Sequence, residues 1–99
     1  MKYQIRYTKA AKEDLLRLYE FLVESDLGAA RRALDAIRKS IDLLQDFPFT
    51  CRKASPDNPF LREMVIGFGD GGYVALFEIE SENIVTILAV RHQREEDYH

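Results

Sequence analysis

Two apolar stripes of helical spacing stand side by side in the first half of the chain, and they leave the remainder few choices of architecture. Ala11, Leu15, Leu18 and Leu22 fall at i, i+4, i+7 and i+11, one face of a helix over about residues 9–24. Thr8 stands just before it and can cap it. Ala30, Ala33, Ile37, Ile41 and Leu44 repeat the spacing through a second helix that ends near Phe47. Pro48 stops it, because the residue before a proline avoids helical angles. Only Ser25-Asp26-Leu27-Gly28 separates the two, with Ser25 or Asp26 as the next cap, so they form an antiparallel helical hairpin. Ala29, Ala30 and Ala33 allow close approach near its turn. Each helix has an apolar face to bury, and the available partner is a sheet.

The strands are legible on either side of the hairpin. Residues 2–7, KYQIRY, alternate Tyr3, Ile5 and Tyr7 with Lys2, Gln4 and Arg6, a short strand. Residues 49–59, FTCRKASPDNP, are polar, hold Pro56 and Pro59, and read as a loop. Three strand-like runs follow: about 60–68, 72–80 and 83–92. Gly69-Asp70-Gly71 and Ser81-Glu82-Asn83 separate them at hairpin lengths. The last is nearly continuous in apolar character through Val90 and is predicted to lie inside the sheet. The fold class is α+β, in the order β-α-α-β-β-β: a four-stranded antiparallel sheet with both helices on one face. Residues 1–99 make one domain, a length that supports one modest core.

Composition narrows the function. The net charge is −3 and the pI about 5.4, which weighs against a protein that grips nucleic acid through many phosphates. No apolar run approaches a membrane span of about 20 residues. The opening MKYQIRYTKAAKEDLL has no apolar block before a small-residue cleavage site, so the expected compartment is the cytoplasm. Cys51 is the only cysteine and reads as a lone reduced thiol.

Few motifs carry chemistry. Gly67, Gly69 and Gly72 fit G-x-G-x-x-G, but a strand follows where a nucleotide loop needs a helix, so these glycines read as the positive-φ residues of a hairpin turn. His92 and His99 are the only histidines, no metal-ligand spacing occurs, and neither a metal nor a cofactor is expected. The helical acids Glu13, Asp14, Glu20, Glu24, Asp35 and Asp42 read as a solvated face. Arg62 sits within a strand between Phe60 and Met64. Arg91 and His92 end the last strand, His92 on the face of Val90 and Leu88, Arg91 on that of Ala89 and Ile87.

The order of elements, together with Leu61-Arg62-Glu63, the run 72–79 GYVALFEI and the ending AVRHQREEDY over 89–98, resembles the RelE/ParE superfamily of bacterial toxins. Ala10-Ala11-Lys12-Glu13-Asp14-Leu15, with Tyr19 after it, is similar to that family's first helix. The R-H-Q-R-E-x-D-Y ending resembles the ParE branch most. The resemblance covers essentially the whole chain. It implies the toxin of a type II toxin-antitoxin system, neutralised by a cognate antitoxin. ParE-type members are associated with poisoning DNA gyrase, and RelE-type members cut messenger RNA in the ribosome.

Chemistry weighs the two branches. RNA cleavage needs a base, an acid and cations on one phosphate, and Arg62, His92 and Tyr98 are the residues this chain offers for it. The cations after the second helix are Arg52, Lys53, Arg62, Arg91 and Arg94, and the acids outnumber them. A gyrase poison needs no general base. The mixed tail suits a protein interface, so Arg62, Arg91, His92, Arg94 and Tyr98 are the candidate target-binding surface. Tyr19, Phe21, Phe47, Phe49 and Phe60, with Tyr3, exceed what a small core needs and are the candidate antitoxin contacts.

Overall fold

The computed structural model describes residues 2–69, 71–81 and 83–95. Strand β1 (Gln4–Tyr7) leads into α1 (Lys9–Val23) and α2 (Leu27–Asp42), and strands β2 (Arg52–Ser55), β3 (Asn58–Phe68), β4 (Gly71–Ser81) and β5 (Ile84–His92) follow. Both predicted caps hold. Thr8 Oγ1 accepts from the Ala11 amide at 3.1 Å, and Asp26 Oδ1 accepts from the Ala29 amide at 3.1 Å. Helix α2 ends at Asp42 and continues as a tighter turn, Leu43–Gln45, before Pro48.

Among the described residues the sheet has five strands in the order β1-β5-β4-β3-β2, not four, and it is mixed rather than antiparallel. The added strand is β2, which occupies part of the segment read as a loop. Its sequence, Arg-Lys-Ala-Ser, has no apolar alternation because it is an edge strand. It is fastened by the backbone ladder to β3 and by an Arg52 Nε to Glu63 Oε1 contact of 3.1 Å. Pro56-Asp57 makes the two-residue turn between Ser55 and Asn58, which face each other.

β1 pairs with β5 in parallel, Gln4 opposite Ile84 through Tyr7 opposite Ile87. The reason lies in the hairpin. Helix α1 continues away from the end of β1, and α2 brings the chain back to where β1 began, where the Tyr3 amide donates to the Gln45 carbonyl at 2.7 Å. β2 runs against β1, and the Pro56-Asp57 turn sends β3 back in the sense of β1. The meander β3–β4–β5 contains an odd number of strands, so β5 runs that way too. β5 is interior, as its apolar run predicts.

The core lies between the helix pair and one sheet face. Ala11, Leu18, Ala33, Ile37, Ile41 and Leu44 from the helical side meet Ile66, Tyr73, Ala75, Phe77, Ile79, Val85, Ile87 and Val90 from the strands. Phe77 is the largest fully buried side chain among the described residues. No helix among the described residues is long and apolar enough to cross a membrane.

Candidate functional site: the junction of α1 with the end of β5

The site begins at an irregularity in β5. Leu76 faces Ala89, yet Phe77 faces Ile87, so Leu88 is an extra residue, a β-bulge. One extra residue inverts the alternation beyond it. Ile87, Val90 and His92 therefore share the helix side, while Ala89 and Arg91 take the open side, which corrects the face assignment expected of a regular strand. The ring of His92 meets that of Tyr73 edge-on, centroids 5.5 Å apart.

β1 ends opposite Ile87, so past that point the bulged β5 has backbone groups to be satisfied elsewhere. Here the first helix and its cap satisfy them. The Thr8 amide donates to the Ile87 carbonyl at 3.0 Å and the Thr8 hydroxyl to the Leu88 carbonyl at 3.1 Å. The Val90 amide donates to Asp14 Oδ2 at 2.9 Å. Asp14 is only 3% exposed. It does not belong to a solvated face, unlike Glu13, Glu20 and Glu24, which are exposed. A signal for this was present: Asp14 follows Ala11 by three and precedes Leu18 by four, inside the arc of the apolar stripe.

The chain then turns back as a hook, residues 92–95. Glu95 closes it: its Oε1 accepts from the His92 amide at 3.1 Å and from Arg17 Nη1 at 3.2 Å, and its amide donates to the His92 carbonyl at 3.0 Å. Arg91 Nη1 reaches three carbonyls of the turn, at 3.3 Å (His92), 3.4 Å (Gln93) and 2.6 Å (Glu95). The Arg94 amide donates to His92 Nδ1 at 3.1 Å. Arg17 Nη2 stands 3.8 Å from Asp14 Oδ1. A continuous polar path thus runs from the Val90 amide through Asp14 and Arg17 to Glu95. Arg91, His92 and Arg94 stand out in the sequence as charge at a strand end, whereas Asp14, Arg17 and Glu95, which fix where they stand, do not. Tyr98 lies outside the described residues.

Beside the hook opens a cleft of about 620 Å³. Leu18 and Leu22 of α1 with Phe68 and Tyr73 of the sheet form its apolar walls, Phe21 stands at its lip, and Arg17, His92, Arg94 and Glu95 supply its polar margin. Burial pushes the Tyr73 hydroxyl above its ordinary pKa, so it is a neutral phenol at pH 7.

Arg62 lies elsewhere. It faces the helix side opposite Phe77, and its guanidinium turns to the segment after α2. Nε donates to the Pro59 carbonyl at 2.7 Å and Nη1 to the carbonyls of Cys51 (2.8 Å) and Phe49 (3.3 Å). It also lies 5.3 Å from the centre of the Phe49 ring, a cation–π contact. Its place in the fold is a clasp on the approach to β2. The Arg62→Ala variant is expected to lose about 1–2 kcal/mol, since these are charge-assisted bonds at a partly exposed site, a loss readable from urea unfolding. Burial pushes the Cys51 thiol up, against the opposing Arg62 charge and a Thr50 hydrogen bond, so the thiol is protonated at neutral pH.

The candidate residues therefore do not converge. Tyr73 faces both His92 and Ile66, and Ile66 lies four residues beyond Arg62 on β3. Strand rise and spacing then put the His92 and Arg62 backbones roughly 17 Å apart. The aromatic candidates also divide. Phe21, 73% exposed, belongs to the cleft. Exposed Phe47, Phe49 and Phe60 lie toward the other end of the sheet, the last two in edge-on contact at 6.2 Å. There Phe49 and Phe60 border a second groove with Tyr3 and Ile79. Tyr19 lies in the seam between the helices beside Ala30, Ala33 and Ile37. Among the described residues no group of three His, Cys, Asp or Glu side chains gathers to hold a metal.

Comparison with known proteins adds an independent finding. The family model described as the ParE toxin of type II toxin-antitoxin system, parDE, matches residues 5–97. A chain from the structure of the chromosomal ParDE TA system from P. aeruginosa superposes with a TM-score of 0.70 at 18% identity, over 92% of this chain and 96% of that one. At that identity it is the fold that is shared. No curated protein matches the chain.

Proposed function

We propose that this chain, which belongs to the ParE toxin family of type II toxin-antitoxin systems, arrests growth by binding DNA gyrase in the cytoplasm and is silenced by a cognate antitoxin bound to its surface. The observation that carries this reading is the dispersal of the groups an RNase would need. Arg62 and Arg91 direct their guanidinium groups to backbone carbonyls, and Arg62 is far from His92. Cleaving a phosphodiester requires base, acid and cation within reach of one phosphate. A docking surface requires a fixed shape, which the hook has. In this reading His92 and Arg94, with Tyr98, meet the target, while Arg62 and Arg91 hold backbone in place. The aromatic side chains left exposed, Phe21 in the cleft and Phe47, Phe49 and Phe60 at the other end, are the antitoxin's anchors; Tyr19 supports the helix seam.

The test sets a supercoiling assay with purified gyrase beside an in vitro translation assay on the same preparation. Supercoiling is expected to fall while translation proceeds and the message stays intact. The H92A/R94E double variant should need about tenfold more protein for the same inhibition, as the loss of a central interface contact typically costs. Cleaved message with unimpaired supercoiling would overturn the proposal in favour of the messenger-RNA endonuclease reading.

A further inference from the structure

The cleft beside the hook has a chemical bias that runs against the charge of the chain. The whole sequence carries −3, yet the cleft margin has two guanidinium groups, Arg17 and Arg94, an imidazole, His92, and a single carboxylate, Glu95, among the described residues that form it. That carboxylate is the one on which Arg17 closes the hook, at 3.2 Å, with the Arg17 side chain still 43% exposed. The walls between are apolar, and Phe21 stands almost bare at the edge. Resting on the toxin-antitoxin reading above, we propose that this cleft receives a large apolar side chain from an acidic antitoxin segment, whose carboxylate takes the place of Glu95 on Arg17.

Two observations carry the commitment to that occupant. The apolar walls call for a leucine-sized or aromatic anchor, the mode in which a peptide segment enters a groove. The cationic margin on an acidic protein selects acid in the partner, because like charge at a desolvating rim is penalised and opposite charge is favoured. Exchange of carboxylates follows from the place of Arg17: it lies at once on the cleft and on the hook. An incoming acid gains a charge-assisted pair, and the hook loses one. Neutralisation would thus both cover the cleft and loosen the surface proposed to meet gyrase.

The probe is the full-length antitoxin encoded beside the toxin, and the readout is its Kd for the intact chain. Phe21→Glu, at an exposed position that leaves the core alone, is expected to weaken binding by about tenfold or more. Arg94→Glu is expected to weaken it several-fold, with the deficit shrinking at high salt. Glu95→Gln removes the internal competitor and is expected to tighten binding. Kd values for all three within about twofold of wild type would overturn the proposal, even though the toxin-antitoxin reading would survive because the wild type binds. Loss with Phe21→Glu alone would overturn the acidic and exchange part, leaving an apolar contact. Absence of wild-type binding would overturn both readings. A wild-type chain that dimerises on size exclusion and becomes monomeric with Phe21→Glu would assign the cleft to a second copy, which also overturns it.

Discussion

Replacing Asp14 with alanine is expected to cost about 3 kcal/mol and to lower the melting temperature by about 15 °C. The estimate sums two effects. The Val90 amide, buried beyond the point where β1 ends, loses its acceptor at 2.9 Å, and an orphaned buried donor costs about 1–3 kcal/mol. Arg17 also loses its neighbour at 3.8 Å, worth less because Arg17 is partly exposed. For a domain of this size each kcal/mol moves the midpoint by about 4–8 °C. Asp14→Asn keeps an oxygen that can accept from Val90 and should cost about 1 kcal/mol, chiefly through the weaker bond to a neutral acceptor. The ordering of the two variants in a thermal melt is the decisive point. Equal melting temperatures for wild type and Asp14→Ala would mean that water satisfies the bulge and that α1 does not hold β5 through this carboxylate.

The same residue shows how far the fold could be read from the chain. The helix stripes, the caps at Thr8 and Asp26 and the interior place of β5 were all legible, because each rests on local spacing that the structure keeps. The parallel pairing of β1 was not, since it depends on the end of the sheet to which α2 returns the chain, and no local pattern records that. β2 was hidden for a related reason: an edge strand of Arg-Lys-Ala-Ser has no buried face to impose alternation, and its pairing with β3 supplies what its composition withholds. The site was legible only in its outline. Arg91, His92 and Arg94 announce themselves as charge at a strand end. The bulge at Leu88 does not, and it decides which faces they take. Arg62 looked like surface chemistry in sequence because its acceptors, the carbonyls of Phe49, Cys51 and Pro59, are backbone groups that no side-chain pattern encodes.

The second large effect is expected at Gly72. A methyl group there would lie 2.1 Å from the Ile66 carbonyl oxygen of the neighbouring strand and 2.8 Å from Nε2 of Gln93. The side chain can swing away; the carbonyl belongs to the ladder between β3 and β4 and cannot move without parting the strands. Gly72→Ala is therefore expected to cost about 3–4 kcal/mol, at or beyond the upper end of overpacking penalties, and to expose amides of β3 and β4 to hydrogen exchange. The G-x-G-x-x-G run suggests one task for its three glycines, yet of the three only Gly69 has positive φ, 61°. Gly72 serves close approach instead, and a methyl at Gly67 meets nothing within 4 Å. Gly67→Ala is thus the control: it should leave stability unchanged or raise it by up to about 1 kcal/mol, through reduced freedom of the unfolded chain. Gly71 separates fold from site. A methyl there stands 3.3 Å from the His92 ring, so Gly71→Ala presses on the hook rather than on the ladder. It should disturb the edge-on contact of His92 with Tyr73 at a small cost in stability. If Gly72→Ala melts with the Gly67→Ala control, the tight crossing of β4 under the Ile66 carbonyl does not limit what this position accepts.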